Sequence, residues 1–368
     1  MDVIDLSAHA HQRPSPTAEL AGGYGRIAVI GAGAWGAALA AVAARAGRSV
    51  TLWARRPELA AEINATHRNA RYLGDAALPP QIRATADLRE ALAGAQAALV
   101  VVPSHALRET VASLAPHLAP GAPIALAAKG VEQGSGLLMS EVAAQAAPGF
   151  RIAALSGPSF ADEVARDLPT AVVIASSCAG DETPETSIAA RLALSMSTPT
   201  FRCYVSDDLM GVEIGGAVKN VIAIATGMAE GAGFGHNARA ALITRGLDEI
   251  KSLAHALGGR RETVTGLSGM GDLSLTASDA KSRNFAYGLR LGRGEKADSG
   301  ALVEGVRNAV SVTELARARG VEMPICEAVR SVVHDGEAFR EAFHRLWTRP
   351  LEGEPRALDL AIAHPAAS

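Results

Sequence analysis

The sequence predicts an α/β chain in which a mostly parallel sheet is followed by an all-helical C-terminal domain. Two observations carry this. From Arg26 to about Asp207, short β-branched runs alternate with Ala-rich stretches, the pattern of βαβ units feeding a parallel sheet. Beyond Asp207 the strand signal stops, and apolar residues recur at helical spacing through Ile214, Val218, Val221, Ile222 and Ala225. The 368 residues, 48% of them hydrophobic, suffice for two sizeable cores. The expected division is a flexible N-terminal tail over 1–23, a sheet domain over 24–206, a helical domain over 207–352 and a C-terminal tail over 353–368.

Taken in order, strands are expected over 27–30, 50–53, 82–85, 99–102, 124–127, 152–155 and 171–175, with an edge strand over 201–204. Between the first two, an Ala-dominated helix over 37–46 ends at Gly47, a residue suited to the left-handed conformation after a helix. Residues 178–186, polar with Gly and Pro, read as a surface excursion. In the second domain, Leu242, Ile250, Leu253, Ala254 and Leu257 share a helical face closed by Gly258-Gly259. Ser311-Val312-Thr313-Glu314 reads as a capping box opening a helix that ends near Gly320, and Pro324 suits the first turn of the next.

Composition excludes several functions. With 35 basic and 38 acidic residues the formal net charge is -3, so nothing global draws the chain to nucleic acid or an anionic membrane. Cys178, Cys203 and Cys326 are far apart and form no CxxC pair, which speaks against a disulfide framework and a thiolate metal site; no metal is expected. The first residues lack the basic-then-apolar order of a signal peptide. No uninterrupted apolar run approaches the roughly 18 to 20 residues of a membrane span. A cytoplasmic protein is expected.

A third observation gives the sheet a ligand. Gly31-Ala32-Gly33-Ala34-Trp35-Gly36 directly follows the first strand and precedes the first helix. In that order Gly31 permits a tight turn, Gly33 lets backbone amides approach a pyrophosphate, and Gly36 allows close strand–helix packing. The helix N-terminus then faces the phosphates. The sheet is therefore read as Rossmann-type and dinucleotide-binding. Trp35, inside the turn, is either a core ring or a lid over the cofactor. The acidic residue that would hold the ribose of NAD at the end of the second strand is missing; Val50-Thr51-Leu52-Trp53 runs instead into Ala54-Arg55-Arg56. Guanidinium groups there suit a 2′-phosphate and favour NADPH without excluding NADH, the alternative being two solvated loop arginines.

Reduction of a ketone by hydride leaves an alkoxide that must receive a proton. Lys219 is the candidate acid. It lies in Gly215-Gly216-Ala217-Val218-Lys219-Asn220-Val221-Ile222-Ala223-Ile224, where a cationic head is out of place unless it has partners or a task. Partial burial lowers a lysine pKa toward neutrality, as proton exchange with an alcohol requires. The competing account is a lysine whose stem crosses the apolar face to reach water. His105, at the carboxyl edge of the sheet, ranks second as acid.

Further segments give Lys219 a context: Val101-Val102-Pro103-Ser104-His105, Ala128-Lys129-Gly130, Ser156-Gly157-Pro158-Ser159-Phe160, Gly233-Phe234-Gly235-His236-Asn237-Ala238-Arg239, Gly269-Met270-Gly271-Asp272, Ser282-Arg283-Asn284 and Val303-Glu304-Gly305. In matching order from about Arg26 to Trp347, they resemble NAD(P)-dependent glycerol-3-phosphate dehydrogenases of the bacterial, phospholipid-precursor type.

That resemblance implies reversible reduction of dihydroxyacetone phosphate to sn-glycerol 3-phosphate with NADPH or NADH, with Lys219 as proton donor in reduction and acceptor in oxidation. It makes Lys129 a contact of both cofactor and substrate, and Gly157, Ser159, Asp272, Ser282, Arg283 and Asn284 substrate contacts. Ala34, Trp35, Arg55, Ala161, Arg283, Val303 and Glu304 match positions that meet the cofactor, beside Gly31, Gly33, Gly36 and Arg56 from the turn and second strand. Arg283 suits the substrate phosphate, with Ser282 and Asn284 as neutral donors. Phe285-Ala286-Tyr287 stands where relatives often carry another arginine, so one phosphate contact is missing. The resemblance also hints at a homodimer. A ketopantoate or 6-phosphogluconate type of reductase shares this architecture, and a dinucleotide sensor without turnover is the non-enzymatic rival.

Overall fold

In the computed structural model residues 22–295, 303–353 and 361–365 are described. Eight strands, β1 (Arg26–Ile30), β2 (Ser49–Trp53), β3 (Arg83–Thr85), β4 (Ala97–Val100), β5 (Ile124–Leu126), β6 (Ile152–Ser156), β7 (Thr170–Ala175) and β8 (Phe201–Ser206), form one sheet. Its order is β3-β2-β1-β4-β5-β6-β7-β8. Every neighbouring pair is parallel except β6 and β7. All eight expected strands are present. The largest displacement is β4, which starts at Ala97 and ends at Val100; Val101 still donates to the Ile30 carbonyl at 2.8 Å before the chain leaves through Pro103.

The strand order reverses between β1 and β4, so the crevice that binds ligands in open α/β sheets opens at the carboxyl ends of these two strands. The Ala34–Arg45 helix begins three residues earlier than expected, inside the glycine turn itself. Its residues from Gly36 to Ala44 are all buried, because small side chains let it lie close on the sheet. The other face is covered by the helices Leu107–Leu114 and Met139–Ala146.

The helical part is built around one helix, Leu209–Gly231, with every residue from Gly211 to Ala229 buried. Helices Gly235–Ala256, Arg283–Gly292, Glu304–Ala318 and Pro324–His334 surround it. Interrupted by Glu213, Lys219 and Asn220, it is still long and apolar enough to cross a membrane by length and composition, and 89% of its most apolar window is buried inside the protein. The Arg283–Gly292 helix crosses it at backbone contact: a Cβ on Gly288 would stand 2.2 Å from the Ile224 carbonyl oxygen, and one on Gly227 2.2 Å from that of Phe285. That closeness fixes where Ser282-Arg283-Asn284 sits relative to Lys219.

One expected boundary fails. The helix assigned to a capping box at Ser311 begins at Glu304, and Ser311 lies in its buried middle. The buried Ser311 hydroxyl has no hydrogen-bond partner among the described residues, so it accepts from no helix amide and caps nothing. Pro324 does open the next helix, and Gly258, at φ +90°, follows the Gly235–Ala256 helix. Of the expected N-terminal tail only Gly22 and Gly23 are described, and the Gly22 carbonyl accepts from Arg191 at 3.3 Å. Within the expected C-terminal tail, Ala361–Ile362 pairs antiparallel with Leu351–Glu352; residues 354–360 and 366–368 lie outside the described part. The 178–186 loop is largely exposed and anchored by Arg151, which holds the Glu182 carboxylate with its two terminal guanidinium nitrogens.

Candidate active site

The glycine turn has the geometry a pyrophosphate needs. Gly31 adopts φ +118°, and a Cβ there would lie 2.3 Å from the Val101 carbonyl oxygen; one on Gly36 would lie 1.8 Å from that of Gly31. At Gly33 nothing stands within 4 Å of the Cβ position, so the backbone faces open space where a phosphate can approach. Gly33 is also the helix N-cap and offers no side-chain cap, which leaves first-turn amides free for an anion. Asn69, wholly buried, steadies the turn by donating to the Ala32 carbonyl at 3.0 Å. Trp35 is half-buried against the core on the Ala34–Arg45 side, so its ring serves partly as core.

At the end of β2, Arg55 is exposed while Arg56 donates to the Tyr72 hydroxyl at 3.3 Å and lies 5.9 Å from that ring's centre. Arg71 approaches the same ring at 5.7 Å. These residues form a cationic, aromatic rim suited to an anionic group.

Three charged side chains meet between sheet and helices. Lys219 donates to Asp272 Oδ1 at 2.5 Å and to the Thr276 hydroxyl at 2.8 Å; Lys129, just beyond β5, donates to Asp272 Oδ2 at 2.6 Å. One carboxylate thus bridges two ammonium groups, itself only 2% exposed. A π-turn, Leu267–Gly271, delivers Asp272 to this position at the start of a short helix. Burial pushes the Lys219 ammonium down to about 8, against the pull of Asp272 and with a further push from Lys129. Burial alone would raise the Asp272 carboxyl, but the two lysines outweigh it and hold it below its ordinary value. Lys219 is therefore no snorkelling side chain: 7% exposed, it keeps one of its three N–H donors beyond Asp272 and Thr276.

The remaining expected residues take varied places. Gly157, at φ +138°, follows β6, and Ser159 donates to its carbonyl at 3.1 Å; Ala161 opens the next short helix against the core. Ser282 caps the Arg283–Gly292 helix by accepting from Phe285 N–H at 3.3 Å, which leaves its own hydroxyl proton available. Asn284 donates to Asn220 Oδ1 at 3.0 Å and accepts from Gly305 N–H at 2.9 Å, so it braces three helices besides any ligand contact. Arg283 is exposed. Val303 and Glu304 are part-buried; burial raises the Glu304 carboxyl, opposed by Arg283, Lys129 and Lys219, which places it in the field of all three cations. His105 is exposed, its ring held below the ordinary value by desolvation and Arg307, and among the described residues no hydrogen bond joins it to the lysine cluster.

Sequence reasoning missed Thr276, Asn220 and Tyr72. Thr276 had a usable signal, standing four residues after Asp272 and hence on the same helical face. Tyr72 had none, because 16 residues of chain separate it from Arg56.

A dinucleotide sheet whose carboxyl edge meets a buried lysine–carboxylate cluster belongs to the two-domain nicotinamide-dependent oxidoreductases. The family is specific. The model for the NAD-dependent glycerol-3-phosphate dehydrogenase N-terminus matches residues 26–181 and that for the C-terminus residues 208–344, and the chain belongs to this family. It is 53% identical to the glycerol-3-phosphate dehydrogenase [NAD(P)+] of Rhodospirillum rubrum, over 89% of this chain and 93% of that one. The enzyme of the same name from Caulobacter vibrioides is also 53% identical, over 90% and 99%. The crystal structure of glycerol-3-phosphate dehydrogenase from Coxiella burnetii superposes with a TM-score of 0.81 at 40% identity, covering 88% of this chain and 99% of that one.

Proposed function

We propose that this chain reversibly reduces dihydroxyacetone phosphate to sn-glycerol 3-phosphate, with NADPH preferred over NADH, and so supplies glycerophospholipid synthesis. The observation that carries the chemistry is the buried Lys219–Asp272–Lys129 cluster at the carboxyl edge of the dinucleotide sheet.

A nicotinamide dinucleotide held on the glycine turn would supply the hydride that the carbonyl carbon accepts. Lys219, with one N–H unspent, gives its proton to the carbonyl oxygen as negative charge develops there, and in oxidation its neutral form takes the proton back. Asp272 keeps the Lys219 head oriented and offsets the burial of its charge, while Thr276 fixes the second donor. Lys129 orients the carbonyl oxygen from the sheet side. Arg283, with Ser282 and Asn284, receives the phosphate, and the backbone at Gly157 with Ser159 borders the substrate. Gly31, Gly33, Ala34, Trp35 and Gly36 cradle the pyrophosphate side; Arg55, Arg56 and Tyr72 meet the 2′-phosphate; Ala161, Val303 and Glu304 border the dinucleotide. The domain division at residue 206, a homodimer and a cytoplasmic location belong to the same proposal.

Mixing the purified protein with NADPH and dihydroxyacetone phosphate should produce loss of the nicotinamide absorbance. No loss, together with turnover of a different keto acid, overturns the substrate. Arg55→Asp should shift the ratio of specificity constants toward NADH by about tenfold or more, the scale of one charge-assisted hydrogen bond. An unchanged ratio retires Arg55 as the phosphate contact.

A further inference from the structure

Glu213 is a buried acid with no place in the chemistry above. It stands on the Lys219 helix, 8% exposed, and accepts two hydrogen bonds from one residue of the sheet domain: the Ser140 N–H at 2.8 Å and the Ser140 hydroxyl at 2.5 Å. Ser140 is the second residue of the Met139–Ala146 helix, whose first-turn amides need acceptors. The carboxylate therefore caps a helix of the sheet domain from within the helical part.

The segment so clamped is the one that carries Lys129. Val131, two residues after the lysine, forms an antiparallel bridge with Leu138, and Glu132 N–H donates to the Leu137 carbonyl at 2.8 Å. Lys129 and Ser140 are thereby the two ends of one tied loop. One helical turn after Glu213, Gly216 brings the Lys219 helix against the Lys129 stem: a Cβ there would lie 3.3 Å from Lys129 Cγ and Cδ and 3.1 Å from Ser156 Oγ. Lys219 follows one turn later. Glu213 and Lys129 also line a common cavity of about 10 Å³ with Ser156, whose buried hydroxyl has no partner among the described residues.

We propose that Glu213 is a positioning residue: by holding Ser140 it locks the Lys129 loop to the Lys219 helix, so that both ammonium groups converge on Asp272. The proposal rests on the reading of Lys219 and Lys129 given above. Around the two groups involved, Glu141 is the other acid near Glu213, and Asp272, Lys129 and Glu304 are the charges acting on Lys219. Burial pushes the Glu213 carboxyl up to about 7, so an uncharged amide is a fair mimic of it near neutral pH.

The test compares Glu213→Ala, Glu213→Gln and Lys219→Ala, using NADPH and dihydroxyacetone phosphate, with NADPH affinity and melting temperature measured for each. Glu213→Ala should lower kcat by about tenfold to a hundredfold at near-normal NADPH affinity, the scale on which small misplacements act. It should also move the alkaline midpoint of the reduction profile upward, because a displaced Lys129 no longer depresses Lys219. Glu213→Gln keeps an acceptor oxygen for Ser140 and should restore both kcat and midpoint to near wild type. A Glu213→Ala protein that melts earlier yet keeps the wild-type kcat and midpoint overturns the positioning role. If that variant does not fold, Ser140→Ala, which removes one of the two bonds, should shift kcat and midpoint in the same directions, and no shift overturns the proposal. Loss of turnover in Lys219→Ala without an effect in the Glu213 variants overturns only this inference; full turnover in Lys219→Ala overturns the reading of the site itself.

Discussion

Lys219→Ala is expected to cut turnover at least about a hundredfold while leaving NADPH affinity nearly intact, the common scale for a lost acid–base group. The reason is geometric. The ammonium is held on Asp272 and Thr276 with one donor left over for the carbonyl oxygen. The sign of the pH dependence follows from its lowered value. Reduction needs the protonated lysine, so its rate should be full below about pH 8 and fall as pH rises through that value; oxidation needs the neutral amine and should rise through the same range. Rate–pH profiles in both directions, with NADPH binding followed separately, check this. Full turnover coupled to weak cofactor binding would make the lysine structural.

Asp272→Ala should be the most destabilising single change in the site. It leaves the buried Lys219 ammonium and the part-buried Lys129 ammonium without their shared counterion, and breaking a buried pair in this way costs about 3–5 kcal/mol. Urea unfolding should show a much lower midpoint. Activity should fall as well, since Asp272 is what draws the Lys219 value up against burial, and without it the lysine loses its proton at lower pH. Because the native Asp272 carboxyl sits below its ordinary value of 3.8, its stabilising contribution is complete above that pH and disappears as pH falls through the native value. Asp272→Ala should therefore flatten the acid limb of the stability profile. An unfolding midpoint equal to that of the wild type would mean the two lysines are solvated.

Much of this was legible in the residues. The strand–glycine turn–helix unit is encoded within some twenty consecutive positions, where strand propensity, the Gly31 and Gly36 contacts and the Ala-rich run all agree, and it folds in the order read, with the helix starting three residues early at Ala34. The end of the strand signal at Asp207 likewise marks where the long helix starts. The Ser311 capping box misled because the same four residues satisfy a local rule at a helix start and in a helix interior, and burial of the whole Glu304–Ala318 face decides between them. Ser282 and Asn284 are legible as a motif, yet their work as cap and helix brace depends on Phe285, Asn220 and Gly305.

Sequence alone determined that Lys219 is out of place: a cation in an apolar helix must have a partner or an exit to water, and that follows from local pattern. Which of the two it has, only the tertiary structure decided. Its partner Asp272 lies 53 residues away, and Asp272 in turn meets Lys129 across 143 residues, on a strand end in the other half of the chain. Periodicity records which face of an element is apolar, but it carries no information about which distant charge will share the low-dielectric space where that face is buried. There one carboxylate between two ammonium groups helps set the proton affinity of Lys219, and that balance exists only once the sheet and the helices have closed on each other.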